Sequence, residues 1–283
     1  MVDKGVMDIA ALVDTCDAAV DAFYPGVFGA QAIAETLFGD NNPGGKLPFT
    51  YLRANYTSRV SMDDLDMAAP PGRGYRYMDP SDADIIFPFG HGLSYTTFAT
   101  KWATTPPTSM SNSGGGVGGG GSGGGESRVS GGSSGEHTVT GSAGAEGAAG
   151  AAGAGAAGAA GAGAAKFHVA VTNTGDRAGT ETLLAYWRPS NRTNSGGASL
   201  MPLQRRLFGF TRVGPVQPGE TVTATLDLSV DALAMADAHG SRVSAPQDFS
   251  IIVSTGDPAS ELTLERFALT GKRIVLEQLP AGL

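Results

Sequence analysis

The sequence predicts an all-β sandwich over residues 166–283, preceded by a smaller mixed region with helices over residues 1–104. Three observations carry this. The C-terminal third alternates apolar and polar residues with a period of two in several short segments, as half-buried strands do. The N-terminal third places apolar residues at helical spacing between glycine and proline punctuation. Between them, residues 105–165 are almost wholly Gly, Ala, Ser and Thr. So few large apolar side chains cannot offset the entropy of ordering, and this segment is expected to be disordered.

The elements follow in chain order. Ile9, Leu12, Val13, Cys16, Val20 and Phe23 recur at helical spacing and predict a helix. AIAETLF, residues 32–38, sets Ile33 against Leu37 and Ala34 against Phe38, and Gly39 follows where a left-handed cap belongs. YPG (24–26) and NNPGG (41–45) read as turns. KLPFTY is extended, because Pro48 pushes Leu47 out of helical geometry. In KFHVAVT, Phe167, Val169 and Val171 face one way while Lys166, His168 and Thr172 face the other. Val222, Ala224, Leu226 and Leu228 share a face in TVTATLDL. Phe249, Ile251 and Val253 repeat the pattern, as do Leu262 and Leu264. NTGDRAG and QPGE supply turns. Such strands in about a hundred residues indicate a sandwich.

Composition narrows the function classes. Of 283 residues, 43 are glycine, so the foldable length is shorter than the chain. A net charge of −8 argues against nucleic acid or an anionic membrane as partner. The lone cysteine, Cys16, excludes an internal disulfide and a multi-cysteine metal site, and is expected to be a buried core thiol. MVDKGVMDIAALVD has no basic region, long apolar run or cleavage site, so no signal peptide is visible. The uncharged stretch at 147–165 is only alanine and glycine, which gain too little from leaving water to anchor in a bilayer.

The stretch FPFGHGLSYTTF, residues 87–98, raises the question of chemistry most sharply. Ser94 lacks the second glycine of a nucleophile elbow, and nothing orients His91 toward it. Packing aromatics with bends at Gly90 and Gly92 explain the stretch better. Asp63, Asp64 and Asp66 in MDDLDM form an acidic run that reads as a solvated loop rather than a glycosidase carboxylate pair. In GRGYRY, Arg73, Tyr75, Arg76 and Tyr77 could line a sugar pocket or lock a loop onto its domain, and locking is the favoured reading. The four histidines show no metal-ligand spacing, and no phosphate-binding loop occurs. No catalytic residue, substrate-binding residue or metal ligand is assigned from the residues. Asn55-Tyr-Thr57 and Asn191-Arg-Thr193 are N-glycosylation acceptors in loop-like sequence.

The order of motifs is more specific than any single one. YPGVFGAQAIAETLFGDNNPGGKLPFTY, then PPGRGYRYM, then FPFGHGLSYTTF resembles the end of the α/β sandwich domain of glycoside hydrolase family 3. VTNTGDRAGTETLLAYW and RRLFGFTRVGPVQPGETVTATLDL resemble the fibronectin type III-like domain that follows it there. NYTSRVSMDDLDMAAPPGRGYRYM and ADAHGSR look most like the plant-type β-xylosidase and α-arabinofuranosidase branch.

The resemblance implies a truncated α/β remnant over 1–93 and an all-β fibronectin type III-like sandwich over 94–283, interrupted by a low-complexity insertion at 105–165. Residues 95–103 would then be the sandwich's first strand, with Phe98 and Trp102 on one face. The implied reaction is retaining hydrolysis of O-glycosyl bonds in carbohydrate and xylan catabolism, with no cofactor. The family's nucleophilic aspartate lies on a barrel and its acid/base glutamate lies earlier in the sandwich domain. No residue here occupies either position, so the chain is expected to supply scaffold and to be inactive alone. Its partner, through the full-length enzyme, would be an oligosaccharide or plant-type cell-wall polysaccharide, and the parent would be extracellular or in the cell wall. A free-standing non-catalytic module that binds carbohydrate or protein is the alternative. A silk-like structural protein, suggested by the Gly/Ala tract alone, is the third.

Overall fold

The computed structural model describes residues 7–61, 63–112, 164–190, 202–237, 239–257 and 260–278. The N-terminal region contributes helices α1 (Ala10–Thr15) and α2 (Gly29–Phe38), strand β1 (Tyr51–Leu52), a 3-10 turn at Ala54–Arg59, the four-residue helix α3 (Gly74–Tyr77) and strand β2 (Ile85–Phe87). Among the described residues that follow, the strands are β3 (Phe98–Trp102), β4 (Ser109–Asn112), β5 (Ala165–Asn173), β6 (Gly179–Pro189), β7 (Arg206–Val216), β8 (Thr221–Leu228), β9 (Met235–Ala236), β10 (Arg242–Ser244), β11 (Gln247–Ser254), β12 (Leu262–Gly271) and β13 (Ile274–Glu277), with a 3-10 turn at Asp231–Leu233.

Helix α1 is shorter than the sequence periodicity predicts. It stops at Thr15, whose hydroxyl donates back to the Ala11 carbonyl at 2.7 Å, and Cys16 is already extended. Farther on, the Asp21 carboxylate accepts the Phe23 amide at 2.8 Å, and Phe23 has φ 46°. A side chain that bonds its own backbone competes with helix, and here the turn wins. The Cys16 thiol therefore has no helical face to bury it and is exposed, against expectation. Helix α2 ends as its sequence predicts. Gly39 adopts φ 86°, ψ 11°, and its amide reaches the Glu35 and Thr36 carbonyls.

A three-stranded sheet, β3-β5-β8, packs against a five-stranded sheet, β4-β12-β11-β6-β7. Phe167, Val169 and Val171 of β5 meet Leu183, Trp187, Phe249, Ile251 and Phe267 in one core. A small β13-β10-β9 sheet completes the strands. The alternation predicted for β5, β8 and β11 is present, but β11 and β6 are buried on both faces along much of their length.

Strand β3 pairs antiparallel with β5, from Phe98 opposite Asn173 to Trp102 opposite Val169. Phe98 and Trp102 both pack on the core, so the chain enters the sandwich before the low-complexity segment begins. That segment is shorter than composition implies. Ser109–Asn112 form β4, paired parallel with β12, and Ala165 pairs with Leu228. Met110 is buried in the core, and the Asn112 amide donates to the Ser244 and Lys272 carbonyls at 3.2 and 2.9 Å. These contacts supply what the local composition lacks. Residues 113–163, expected to be disordered, lie outside the described residues.

Candidate functional site

The second apolar cluster forms where the N-terminal region covers the outer face of the five-stranded sheet. Leu184, Tyr186 and Ile252 from the sheet pack with Tyr75, Phe89 and Leu207. Tyr75 stacks on Phe89 with centroids 4.2 Å apart, and both rings meet Tyr186 edgewise at 6.1 and 6.3 Å. The Tyr75 hydroxyl accepts the Leu207 amide at 3.2 Å, and the Arg76 carbonyl accepts the Gln204 amide at 2.6 Å. Burial pushes the Tyr186 phenol well above its usual range, with the Arg205 guanidinium 4.7 Å over its ring opposing this weakly. Tyr186 is therefore a neutral packing group.

Alongside lies a polar seam. The Lys46 ammonium pairs with Glu181 at 2.9 Å, with only 6% and 7% of the two side chains exposed. Lys46 also donates to the Gly92 carbonyl at 3.0 Å. Asn42 donates to the Thr180 carbonyl at 3.2 Å and accepts the Ser94 hydroxyl at 2.9 Å and the Tyr95 amide at 2.8 Å. Gly90 sits at φ 85° against the sheet, where a Cβ would lie 2.5 Å from Leu184 Cδ1, so only glycine fits.

The stretch FPFGHGLSYTTF is thus a joint. Ser94 is engaged by Asn42, and His91 stacks on Phe87 at 4.7 Å. Burial, and secondarily the charge of Lys46, hold the His91 imidazole below its ordinary value of 6.5, while Asp257 opposes them. A depressed folded value makes the neutral ring the docked form. Docking is therefore unaffected above about pH 6.5 and weakens as pH falls below it toward the folded value. Thermal melts and proteolysis between about pH 7.5 and 5 should show this loss. His91→Gln should flatten it, and a variant that keeps the full pH slope would refute the assignment.

The other candidates are structural. Arg73 donates to the carbonyls of Asp64 and Ser61, the latter at 2.8 Å, and so clamps the acidic loop. Asp63, Asp64 and Asp66 are exposed on that loop, and Asp64 and Asp66 accept amides two residues on in tight turns. Sequence reasoning missed Asp82 and Asp84. Arg59 bonds both, with Asp82 held at 2.9 Å by each of two guanidinium nitrogens and Asp84 at 2.6 Å. The Arg59 hydrogen bonds hold the Asp82 carboxyl below its usual range. A carboxylate fixed as an anion by a fork of this kind is a poor proton donor. Among the described residues, no group of three or more His, Cys, Asp or Glu side chains could hold a metal. Asn55 is exposed in the 3-10 turn, and Asn191 lies outside the described residues.

A loop-rich piece with short helices and a two-stranded sheet, fixed by buried contacts to the outer face of a β-sandwich, gives the chain a small α/β part joined to a sandwich of the fibronectin type III-like class. Residues 1–95 match the Glycosyl hydrolase family 3 C-terminal domain, and residues 181–256 match the Fibronectin type III-like domain. The chain thus carries a glycoside hydrolase family 3 C-terminal domain followed by a fibronectin type III-like domain. It is 31% identical over 250 residues to a xylan 1,4-β-xylosidase of Xylanibacter ruminicola, covering 88% of this chain and 21% of that protein. It is 32% identical over 231 residues to β-D-xylosidase 1 of Arabidopsis thaliana, covering 78% and 25%. The fold matches a GH3 exo-β-xylosidase solved with a xylobiose aziridine activity-based probe, at TM-score 0.68 and 24% identity over 98% of this chain and 31% of that one. The chain therefore spans a minor share of each relative's length.

Proposed function

We propose that this chain is the C-terminal scaffold of a β-xylosidase/α-arabinofuranosidase-like hydrolase, acting on xylo-oligosaccharides or plant-type cell-wall polysaccharide in xylan catabolism. The observation that carries the reading is the match of both parts of the chain to β-xylosidases, with the seam between those parts closed by a buried ion pair and an aromatic cluster. The domains divide at residue 93/94, a boundary supported by the pairing of β3 with β5. Asp82 and Asp84 are tied to Arg59 and the acidic loop of Asp63, Asp64 and Asp66 is clamped by Arg73, so these five carboxylates are assigned structural roles. The purified chain should not turn over aryl β-xyloside, α-arabinofuranoside or β-glucoside above buffer, because attack and leaving-group protonation each need a positioned group. Sustained turnover that is lost on mutating Asp63, Asp64 or Asp66 would overturn the scaffold role. The whole polypeptide should prefer the β-xyloside, and preference for the β-glucoside would overturn the substrate assignment.

The parent enzyme is extracellular or in the cell wall. Exposed Asn55, in a 3-10 turn that leaves its side chain in solvent, supports this as a glycan acceptor. In the secreted native protein, glycosidase treatment should increase the mobility of the peptide carrying Asn55. Unchanged mobility would count against the assignment.

A further inference from the structure

One local cluster of positive charge stands out on a chain whose net charge is −8. Arg206, on β7, is half-buried and donates to the Ala234 carbonyl at 2.7 Å. Its guanidinium lies over the Trp187 ring at 5.8 Å. Beyond burial, the groups that most strongly depress its basicity are two further guanidiniums, Arg76 and Arg242. Arg242 is paired, to Asp231 at 2.6 Å. Among the described residues no carboxylate pairs with Arg76 or Arg206.

Gathering three guanidiniums around fewer carboxylates disfavours the charged forms, and such an arrangement marks a candidate site for an anion. Two of these charges, Arg206 and Arg242, border a cleft of about 360 Å³, lined also by Ala234, Ala236, Gly240 and Glu277. Its wall includes part of ADAHGSR, the motif at 236–242 to which the scaffold reading gives no task. The turn is rigid. Asp237 accepts the His239 and Ser241 amides at 2.9 and 3.0 Å and pairs with Arg273 at 2.6 Å.

We propose that this cleft binds the carboxylate of an acidic sugar, held by Arg206 and Arg242 with Arg76 adding to the field. The planar guanidinium fork matches a carboxylate. Three guanidiniums against the carboxylates of Asp231 and Glu277 leave one positive charge, which suits a monoanion better than a phosphate dianion. The cleft is larger than a small inorganic anion needs and falls within the range of small-molecule sites, and its two alanines offer an apolar wall to a sugar ring. The sugar part rests on the proposed glycosidase role. The carboxylate part rests on the arginines alone.

The full chain, isotopically labelled, is titrated by NMR with sodium D-glucuronate, D-xylose, sodium acetate and sodium phosphate at matched ionic strength. Glucuronate should give saturable shifts at residues 206, 234, 236, 240, 242 and 277, and D-xylose should give none. Arg242→Gln should weaken binding about tenfold, as loss of a hydrogen bond to a charged group does. Arg76→Gln should weaken it about threefold and Glu277→Gln should tighten it about threefold, as exposed charges do. Should Arg242→Gln disturb the hairpin, the two exposed variants keep the test decisive. No saturable shift with glucuronate, or affinity indifferent to all three variants, would overturn the site. Acetate or phosphate binding as tightly as glucuronate would overturn the sugar assignment while leaving an anion site. None of these readouts involves hydrolysis, so the outcome is separable from that of the activity assay.

Discussion

Glu181→Gln should destabilise the docking of the N-terminal region on the sandwich by about 3–5 kcal/mol, because it leaves the Lys46 ammonium buried without its counterion. Lys46 lies in the NNPGGK turn and Glu181 on β6, and both side chains are almost wholly inaccessible. Water cannot take over the lost charge there, and the Gly92 carbonyl alone cannot replace it. The double variant Lys46→Met, Glu181→Leu removes both charges at similar volume and should recover most of the loss. Thermal melts report the total, and the rate at which residues 7–93 are proteolysed reports the docking itself. If Glu181→Gln melts and digests like the parent, the ion pair does not hold the seam.

Phe167→Ala should cost about 3–5 kcal/mol of sandwich stability, through lost transfer energy and the cavity left behind. Phe167 is fully buried two residues past the start of β5, and its ring lies 6.1 Å from Trp102, 6.3 Å from Phe208 and 5.8 Å from Phe267. It therefore ties β3 on one sheet to β7 and β12 on the other. Phe167→Leu retains most of the volume and should cost under about 1.5 kcal/mol. The midpoint of denaturant unfolding separates the two. A small loss for the alanine variant would mean that the chain just after the low-complexity segment is not core, and would undermine the joining of β3 to β5.

Part of the sandwich was legible because one face of β8, and much of one face of β5, meets water. The pattern names Phe167, Val169 and Val171 of β5 and Ala224, Leu226 and Leu228 of β8, and all six are buried, with Val222 partly so. Residues 183–187 were not legible from periodicity. Leu183, Ala185 and Trp187 face the core while Leu184 and Tyr186 face the N-terminal region, so no polar residue marks a solvent side. Strand β4 was hidden for the opposite reason. Ser109, Met110, Ser111 and Asn112 carry little strand signal, and β12 supplies the partner that makes them one.

By itself the sequence determined the β-sandwich, the α2 cap at Gly39, the absence of a nucleophile elbow at Ser94 and the family resemblance. Each depends on residues near one another in the chain or on a fixed order of motifs. Only the tertiary structure decided that helix α1 stops at Thr15 and exposes Cys16, and that Lys46 finds Glu181. The same holds for Arg59 spanning Asp82 and Asp84, and for Arg206 and Arg242 lining one cleft. Those outcomes are set by desolvation and by partners far away in sequence. No local period records them, because the free energy of a buried charge depends on what the fold places beside it.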